Sequence, residues 1–227
     1  MVSSLLGIGS PRPDRGTAVQ FHSGDILAFF GTGWESASIS VVTGRPKLWY
    51  PFWELGPSHV AIIAGLPRDT ELHTSRPPKM VLWESTTLCR LPDMLTGERV
   101  QGVQVHGIEE RIASYNGSVY HLPLVPSWRL AYDEWSVLTR FLAHHKGGHY
   151  DYEGAAISGS RVFKFLENRW PDQKSIFCSE LCAAGLMRVG RLPVSNSSLF
   201  NPANLVRAIQ STGTHSAMVR LSGGDAR

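Results

Sequence analysis

The sequence predicts a single α+β domain in which an antiparallel sheet or a small barrel packs against helices. Short apolar runs rich in β-branched residues fill the first half of the chain, whereas the second half spaces its apolar residues with a helical period. No linker rich in Pro, Gly or Ser divides residues 21–210, which we assign to one domain. Residues 1–20 are predicted to be a flexible N-terminal arm and residues 211–227 a flexible C-terminal tail.

Five strands are predicted in the first part of the domain. Each is a short apolar run bounded by glycine, proline or another turn residue. In chain order they are Ile26–Phe30, Ser58–Ile63, Met80–Ser85, Val100–Val105 and Val119–Val125. Because these five strands fall within about a hundred residues, the sheet is expected to be mainly antiparallel.

Helices are predicted mainly in the second part. They cover Trp34–Thr43, Ala131–His145, Glu153–Arg169, Cys178–Val189 and Asn201–Gln210. Asn201 is followed by Pro202, which is a typical helix start, because asparagine caps the free N–H groups and proline tolerates the first helical position. Glycines follow the first, second and fourth of these helices and are expected to end them.

Composition excludes several classes of protein. The 22 Lys and Arg residues nearly balance the 19 Asp and Glu residues in a chain of 227, giving a net charge of +3 without a block of five like charges. This distribution argues against a protein that binds nucleic acid. Neither an N-terminal signal sequence nor a run of about 18 apolar residues is recognised, so the protein is expected to be cytoplasmic, without a transmembrane segment.

Metal and disulfide sites are not predicted. The three cysteines, Cys89, Cys178 and Cys182, lack the pair spacing of zinc ligands, and their odd number argues against a disulfide scaffold. The three histidines between His144 and His149 are interrupted by a Gly-Gly pair, which removes the rigid helical geometry of a zinc pair. We therefore expect no metal and no cofactor.

Cys178 is the main candidate for a nucleophile. It begins a predicted helix, where free backbone N–H groups and the positive end of the helix dipole stabilise a thiolate and can receive an oxyanion. The alternative is that Cys178 belongs to the apolar stripe of that helix and is a core residue. We expect this second role for Cys182, which lies one turn later on the same stripe.

His59 and Glu84 are the candidate partners of a reactive thiol. His59 lies in a predicted strand and shares a face with Ala61 and Ile63, the face expected to meet a helix. Glu84 lies inside an apolar strand, where an unpaired charge is costly, so a hydrogen bond to an imidazole would satisfy the carboxylate and orient the ring. The alternatives are a satisfied core histidine and a carboxylate at a solvated strand end.

Six short motifs, in their order along the chain, resemble the circularly permuted NlpC-like papain-fold cysteine hydrolases, the YiiX-like group. They are Gly24-Asp25-Ile26-Leu27, Ser58-His59-Val60-Ala61-Ile62, Trp83-Glu84-Ser85, Tyr150-Asp151, Phe177-Cys178-Ser179-Glu180-Leu181 and Asn201-Pro202. Ordinary papain-like enzymes place the cysteine helix before the strand histidine, whereas here His59 and Glu84 precede Cys178, as in the permuted group. The resemblance spans about residues 22–206.

The resemblance implies a cysteine amidase or peptidase with a catalytic dyad or triad. Cys178 would attack an amide carbonyl, His59 would act as the general base, and Glu84 would orient the imidazole. Tyr150 or Tyr152 would supply a second donor to the oxyanion. The implied substrate is a peptide, a peptidoglycan stem peptide or an N-acyl compound.

An aromatic cluster before His59 departs from the resemblance. Trp49 and Trp53 lie in it, and they are expected either to wall a substrate groove or to pack over the sheet. Two other functions stay open. The same fold supports a lipid acyltransferase or thioesterase, as in relatives of lecithin retinol acyltransferase, and a non-catalytic binding module would keep the fold without turnover.

Overall fold

The computed structural model describes residues 19–31, 56–67, 79–87, 89–147, 177–194 and 196–222. Within these residues six antiparallel strands form one sheet, and four α-helices pack on it, so the predicted α+β class is confirmed. No helix among them is both long and apolar enough to cross a membrane.

The sheet is open. Its strands, numbered along the chain, are β1 (Ile26–Gly31), β2 (His59–Gly65), β3 (Met80–Thr86), β4 (Gly102–His106), β5 (Gly117–Leu122) and β6 (Val219–Ser222). Their order across the sheet is β4-β3-β2-β1-β5-β6. Among the described residues no pairing joins the two edge strands β4 and β6, so the structure corresponds to the predicted sheet and not to the predicted barrel.

Three of the four helices were expected, two from the period of their apolar residues and one from the Asn201-Pro202 start. The helices are α1 (Ile108–Ala113), α2 (Tyr132–His144), α3 (Cys178–Arg188) and α4 (Pro202–Ser211). The start of α4 is as predicted, because the side chain of Asn201 accepts a hydrogen bond of 2.8 Å from the backbone N–H of Asn204. Helix α1 was not predicted, since its six residues are too few to reveal a helical period.

The C-terminal region requires a correction. The predicted tail at 211–227 contains strand β6, which pairs with β5 through Tyr120 and Arg220. The four residues of β6, one of them charged, are too few to show the alternation of apolar and polar residues that predicts a strand. Their pairing with β5 is what defines the strand. The predicted helices at 34–43 and 153–169 lie outside the described residues.

The two faces of the sheet pack against different helices. Val60 and Ile62 belong to a core that includes α2, α3 and α4, and we call this side the α3 face. Ala61 and Ile63 point to the opposite side, where they share a smaller core with Ile108 of α1, and we call this side the α1 face. The alternation along β2 therefore assigns each of its side chains to one of two separate cores.

Helix α3 lies close to both the sheet and α2 because residue 185 is a glycine. A methyl group at Gly185 would lie 3.0 Å from Cδ1 of Leu138 in α2 and 3.5 Å from Cδ1 of Ile62 in β2. Leu181 and Leu186 of the same helix are fully buried, and each contributes about 1.5–3 kcal/mol through removal of its side chain from water. This packing fixes where the N-terminus of α3 lies.

Candidate active site

The first element of the site is a contact between His59 and Glu84. The β2–β3 register pairs Ile62 with Trp83, so His59 and Glu84 lie on the same face of the sheet, the α1 face. Nε2 of His59 lies 2.7 Å from Oε2 of Glu84. Glu84 is fully buried, which excludes the alternative of a carboxylate at a solvated strand end.

Arg111 of α1 is a third member of this cluster, and the sequence analysis did not identify it. Its Nε donates to Oε1 of Glu84 at 2.6 Å, and its Nη2 donates to Oε2 at 3.2 Å. The only sequence signal is a charged residue between the apolar positions Ile108 and Ile112. That signal is weak, because exposed helices commonly carry such charges.

Two positive groups keep the Glu84 carboxylate ionised. Burial by itself raises the pKa of Glu84, but the hydrogen bond from His59 and the charge of Arg111 outweigh it and lower the pKa well below its ordinary value. The neighbouring His106 behaves differently. Burial lowers its pKa, despite the nearby charge of Glu84, and the ring donates from Nε2 to Oε1 of Gln104 at 3.0 Å.

Cys178 is the first residue of α3. Phe177 precedes it in an extended conformation, and its carbonyl accepts the N–H of Leu181 at 2.9 Å, which starts the helical hydrogen-bond pattern. Phe177 has no side-chain oxygen to cap the helix, and no side-chain capping hydrogen bond forms there. The Cys178 side chain therefore lies at the positive end of the helix dipole, with 1% of the residue exposed.

The Cys178 thiol and the His59 imidazole interact. Burial by itself lowers the pKa of His59, but the charge of Cys178 and a hydrogen bond with its side chain oppose this effect, and Glu84 adds to them. Together they raise the pKa of His59 from 6.5 to about 9. At neutral pH the imidazole is therefore predominantly protonated, between a carboxylate and a thiol.

The site forms where the two cores meet. Helix α3 packs on the α3 face, whereas His59, Glu84 and Arg111 belong to the α1 face. His59 is the first residue of β2, so its ring lies at the end of the sheet. The helix that covers the face of His59 is α1 and not the cysteine helix, and Cys178 reaches the imidazole at the end of the strand.

A second thiol lies beside the same carboxylate. Glu84, Cys89 and His106 offer possible metal-ligand atoms that all lie within 4.8 Å of one another. The Arg111 guanidinium, however, lies 2.6 Å from the Glu84 carboxylate and already supplies a positive charge. The thiol of Cys89 has a raised pKa, because burial and the nearby charge of Glu84 both favour its neutral form.

Five further residues were considered from the sequence. Tyr150, Tyr152, Trp49 and Trp53 lie outside the described residues. Cys182 is fully buried, as expected of a core residue, and burial raises the pKa of its thiol well above the ordinary value.

Comparisons with known proteins show a structural likeness. No protein-family model matches the sequence. No curated protein matches it either. The fold is similar to the crystal structure of the metalloprotein YiiX from Escherichia coli O157:H7, at 14% sequence identity and a TM-score of 0.48, over 89% of this chain and 97% of that one.

Proposed function

We propose that this protein is a cysteine-dependent hydrolase that cleaves an amide bond through an acyl-enzyme on Cys178, with a permuted papain-like arrangement of its residues. The observation that carries the proposal is the continuous series of contacts from the Cys178 thiol through the His59 imidazole to the Glu84 carboxylate. A thiol at a helix N-terminus, an adjacent imidazole and an orienting carboxylate are the groups that nucleophilic catalysis requires.

The first half of the reaction uses the proton on His59. The Cys178 sulfur, as a thiolate, attacks the amide carbonyl carbon and forms a C–S bond, and negative charge moves to the carbonyl oxygen. The backbone N–H of Cys178, which is the first residue of α3, would donate to this oxyanion. His59 then gives its proton to the leaving nitrogen, the C–N bond breaks, and an amine departs.

The second half returns the enzyme to its starting state. Neutral His59 takes a proton from water as the oxygen attacks the thioester carbon. The C–S bond breaks, a carboxylic acid leaves, and the proton on His59 restores the thiolate–imidazolium pair. Throughout, Glu84 accepts the hydrogen bond from Nε2 and keeps the ring oriented, which leaves Nδ1 as the nitrogen for the thiol.

Selective alkylation tests this proposal. We expect iodoacetamide below neutral pH to modify Cys178 faster than Cys89 or Cys182, because only Cys178 pairs with a protonated imidazole. Peptide mapping by mass spectrometry gives the three rates in one sample, so the other two thiols act as internal controls. The experiment also tests access, since Cys178 is 1% exposed. Three comparably slow thiols would support a non-catalytic binding module instead.

Trapping of the acyl group identifies the substrate class. Intact-mass screening against libraries of amides and esters should reveal an adduct on Cys178 whose mass names the acyl group. The matched control is Cys178→Ala, which we expect to lose the adduct and all turnover while its free energy of unfolding falls by no more than about 2 kcal/mol. Adducts from esters alone would favour the acyltransferase or thioesterase function, and activity retained by Cys178→Ala would contradict the proposal.

A further inference from the structure

We propose that Arg111 is a positioning residue of this site, which keeps Glu84 ionised and fixes the carboxylate in the orientation that His59 requires. The inference rests on the proposed function, because positioning of His59 matters only if the imidazole and Cys178 react. It adds a residue from α1, an element outside the motifs that suggested the hydrolase.

The geometry of the Arg111 guanidinium fixes the plane of the carboxylate. Nε contacts Oε1 at 2.6 Å and Nη2 contacts Oε2 at 3.2 Å, so two donors in a rigid fork hold both oxygens of Glu84. Oε2 is also the atom that accepts from Nε2 of His59 at 2.7 Å. A change in the arginine therefore moves the atom on which the imidazole depends.

Aromatic rings hold the guanidinium in its place. The central carbon of the Arg111 guanidinium lies 5.0 Å from the ring centroid of Phe29 and 5.3 Å from that of Tyr115. Phe29 also lies 5.3 Å, centroid to centroid, from the ring of His59. One aromatic side chain thus packs against both the arginine and the imidazole, which restricts the rotamers of both.

Charge balance gives Arg111 its importance. In the reactive form that the proposed mechanism requires, a Cys178 thiolate, a His59 imidazolium, the Glu84 carboxylate and the Arg111 guanidinium have charges that sum to zero. Loss of Arg111 would leave one uncompensated negative charge in a buried cluster, and buried charges of this kind are relieved by proton uptake.

No other described group near Glu84 replaces this charge. Cys89, with a raised pKa, is neutral, and burial keeps His106 neutral as well. Lys146 pairs with Asp93 at 3.2 Å. Without Arg111 we therefore expect Glu84 to bind a proton at a higher pH, and protonated Glu84 supports the imidazolium less well.

The experiment compares Arg111→Met with Arg111→Lys. Iodoacetamide labelling of Cys178 is measured in the full chain at pH 6.0 and pH 8.5. The readout is the labelling rate at pH 6.0 divided by the rate at pH 8.5. We expect Arg111→Met to lower this ratio about tenfold, which corresponds to a shift of about one pH unit. Arg111→Lys should keep the ratio of the wild type, because it retains the charge, while its rates fall at both pH values because the fork is lost.

A second readout follows Glu84 directly. The carbon-13 resonance of its carboxyl, assigned with Glu84→Gln, should titrate at a higher pH in Arg111→Met than in the wild type. A purely structural arginine would lower the melting temperature without moving either the rate ratio or this titration. If Arg111→Met does not fold, Arg111→Lys carries the test, and unchanged labelling rates in that variant would overturn the inference.

The two proposals fail in different ways. Wild-type Cys178 that reacts no faster than Cys89 would overturn the proposed function, and the positioning role with it. Fast labelling of wild-type Cys178, together with an unchanged rate ratio in a folded Arg111→Met variant, would overturn the role of Arg111 alone.

Discussion

Two buried carboxylates, Glu84 and Asp25, each contact a histidine at hydrogen-bond distance, and the two pairs differ in their other partners. Nε2 of His59 meets Oε2 of Glu84 at 2.7 Å, and Nε2 of His121 meets Oδ2 of Asp25 at 2.8 Å. Both carboxylates are fully buried. The distance between acid and imidazole therefore does not distinguish a candidate reactive site from a structural contact.

The remaining partners of each carboxylate make the distinction. Asp25 accepts the backbone N–H of Leu124 at 2.8 Å and that of His22 at 2.9 Å, so it ties the start of β1 to the chain that follows β5. Glu84 instead binds the Arg111 side chain, and its histidine contacts a thiol. A pair that is completed by backbone groups stabilises the fold, whereas a pair completed by a cation and a thiol can perform chemistry.

Matched substitutions in the two pairs should give the largest contrast. Glu84→Gln should lower turnover of the trapped substrate about 100-fold, at the lower end of what positioned proton transfer contributes. It should also destabilise the protein, because Arg111 loses its buried partner. Asp25→Asn should lower the free energy of unfolding by about 1–3 kcal/mol.

The rate is the decisive measurement for this contrast. We expect folded Asp25→Asn to keep the wild-type labelling rate of Cys178, since Asp25 contacts neither the thiol nor His59. Urea titration separates stability from rate in both variants. An equal loss of Cys178 reactivity in Asp25→Asn and Glu84→Gln would show that the two pairs act alike and would contradict the comparison.

A second contrast concerns pH. The pKa of folded His59 is about 9, above the ordinary value of 6.5, so the folded protein binds this proton more tightly than the unfolded chain. The stabilisation that protonated His59 gives to the folded protein is complete below pH 6.5 and is lost as the pH rises through about 9. Turnover should fall over the upper part of the same range, because the leaving amine needs the imidazolium proton.

Unfolding curves across this range test the prediction. The wild type and the control His121→Asn should both lose stability between pH 6.5 and about 9, and His59→Asn should lack that component. At acid pH the change in stability has the opposite sign and comes from Glu84. The pKa of Glu84 is lowered, so its contribution is present above the ordinary value of 4.5 and is lost as the pH falls below it. If the free energy of unfolding of the wild type stays constant up to pH 9, the prediction is contradicted.

Cys89 should give the smallest effect. Its thiol borders Glu84, but both burial and the nearby carboxylate favour the neutral form. Cys89→Ser retains a donor in the same position, so we expect turnover to change by no more than about twofold, which is about 0.5 kcal/mol. A loss comparable to that of Glu84→Gln would assign Cys89 to the reaction.

The sequence predicted the parts of this molecule that depend on local pattern. The apolar runs of β1, β2 and β3 and the Asn201–Pro202 helix start follow from residue types and spacing. Cys178 at the start of a helix was also predicted, as was the presence of Glu84 in a buried strand. These features need no knowledge of which segment packs against which.

Features that depend on register and on distant packing were not predictable. Arg111 meets Glu84 only because α1 folds back over β3, across 27 positions of sequence. Strand β6 is defined by its pairing with β5. Alternation correctly placed His59 with Ala61, but it could not tell that α1 would cover this face and that Cys178 would approach from the other.

The distribution of the site over two separate cores has a consequence for biogenesis. Under the proposed mechanism the sulfur acquires its activating neighbours only after both layers have docked on the sheet. A nascent or misassembled chain in which only one of these layers has docked therefore carries an unactivated cysteine. That cysteine is not acylated by amides or esters in its surroundings. Maturation of the nucleophile is thus coupled to completion of the fold.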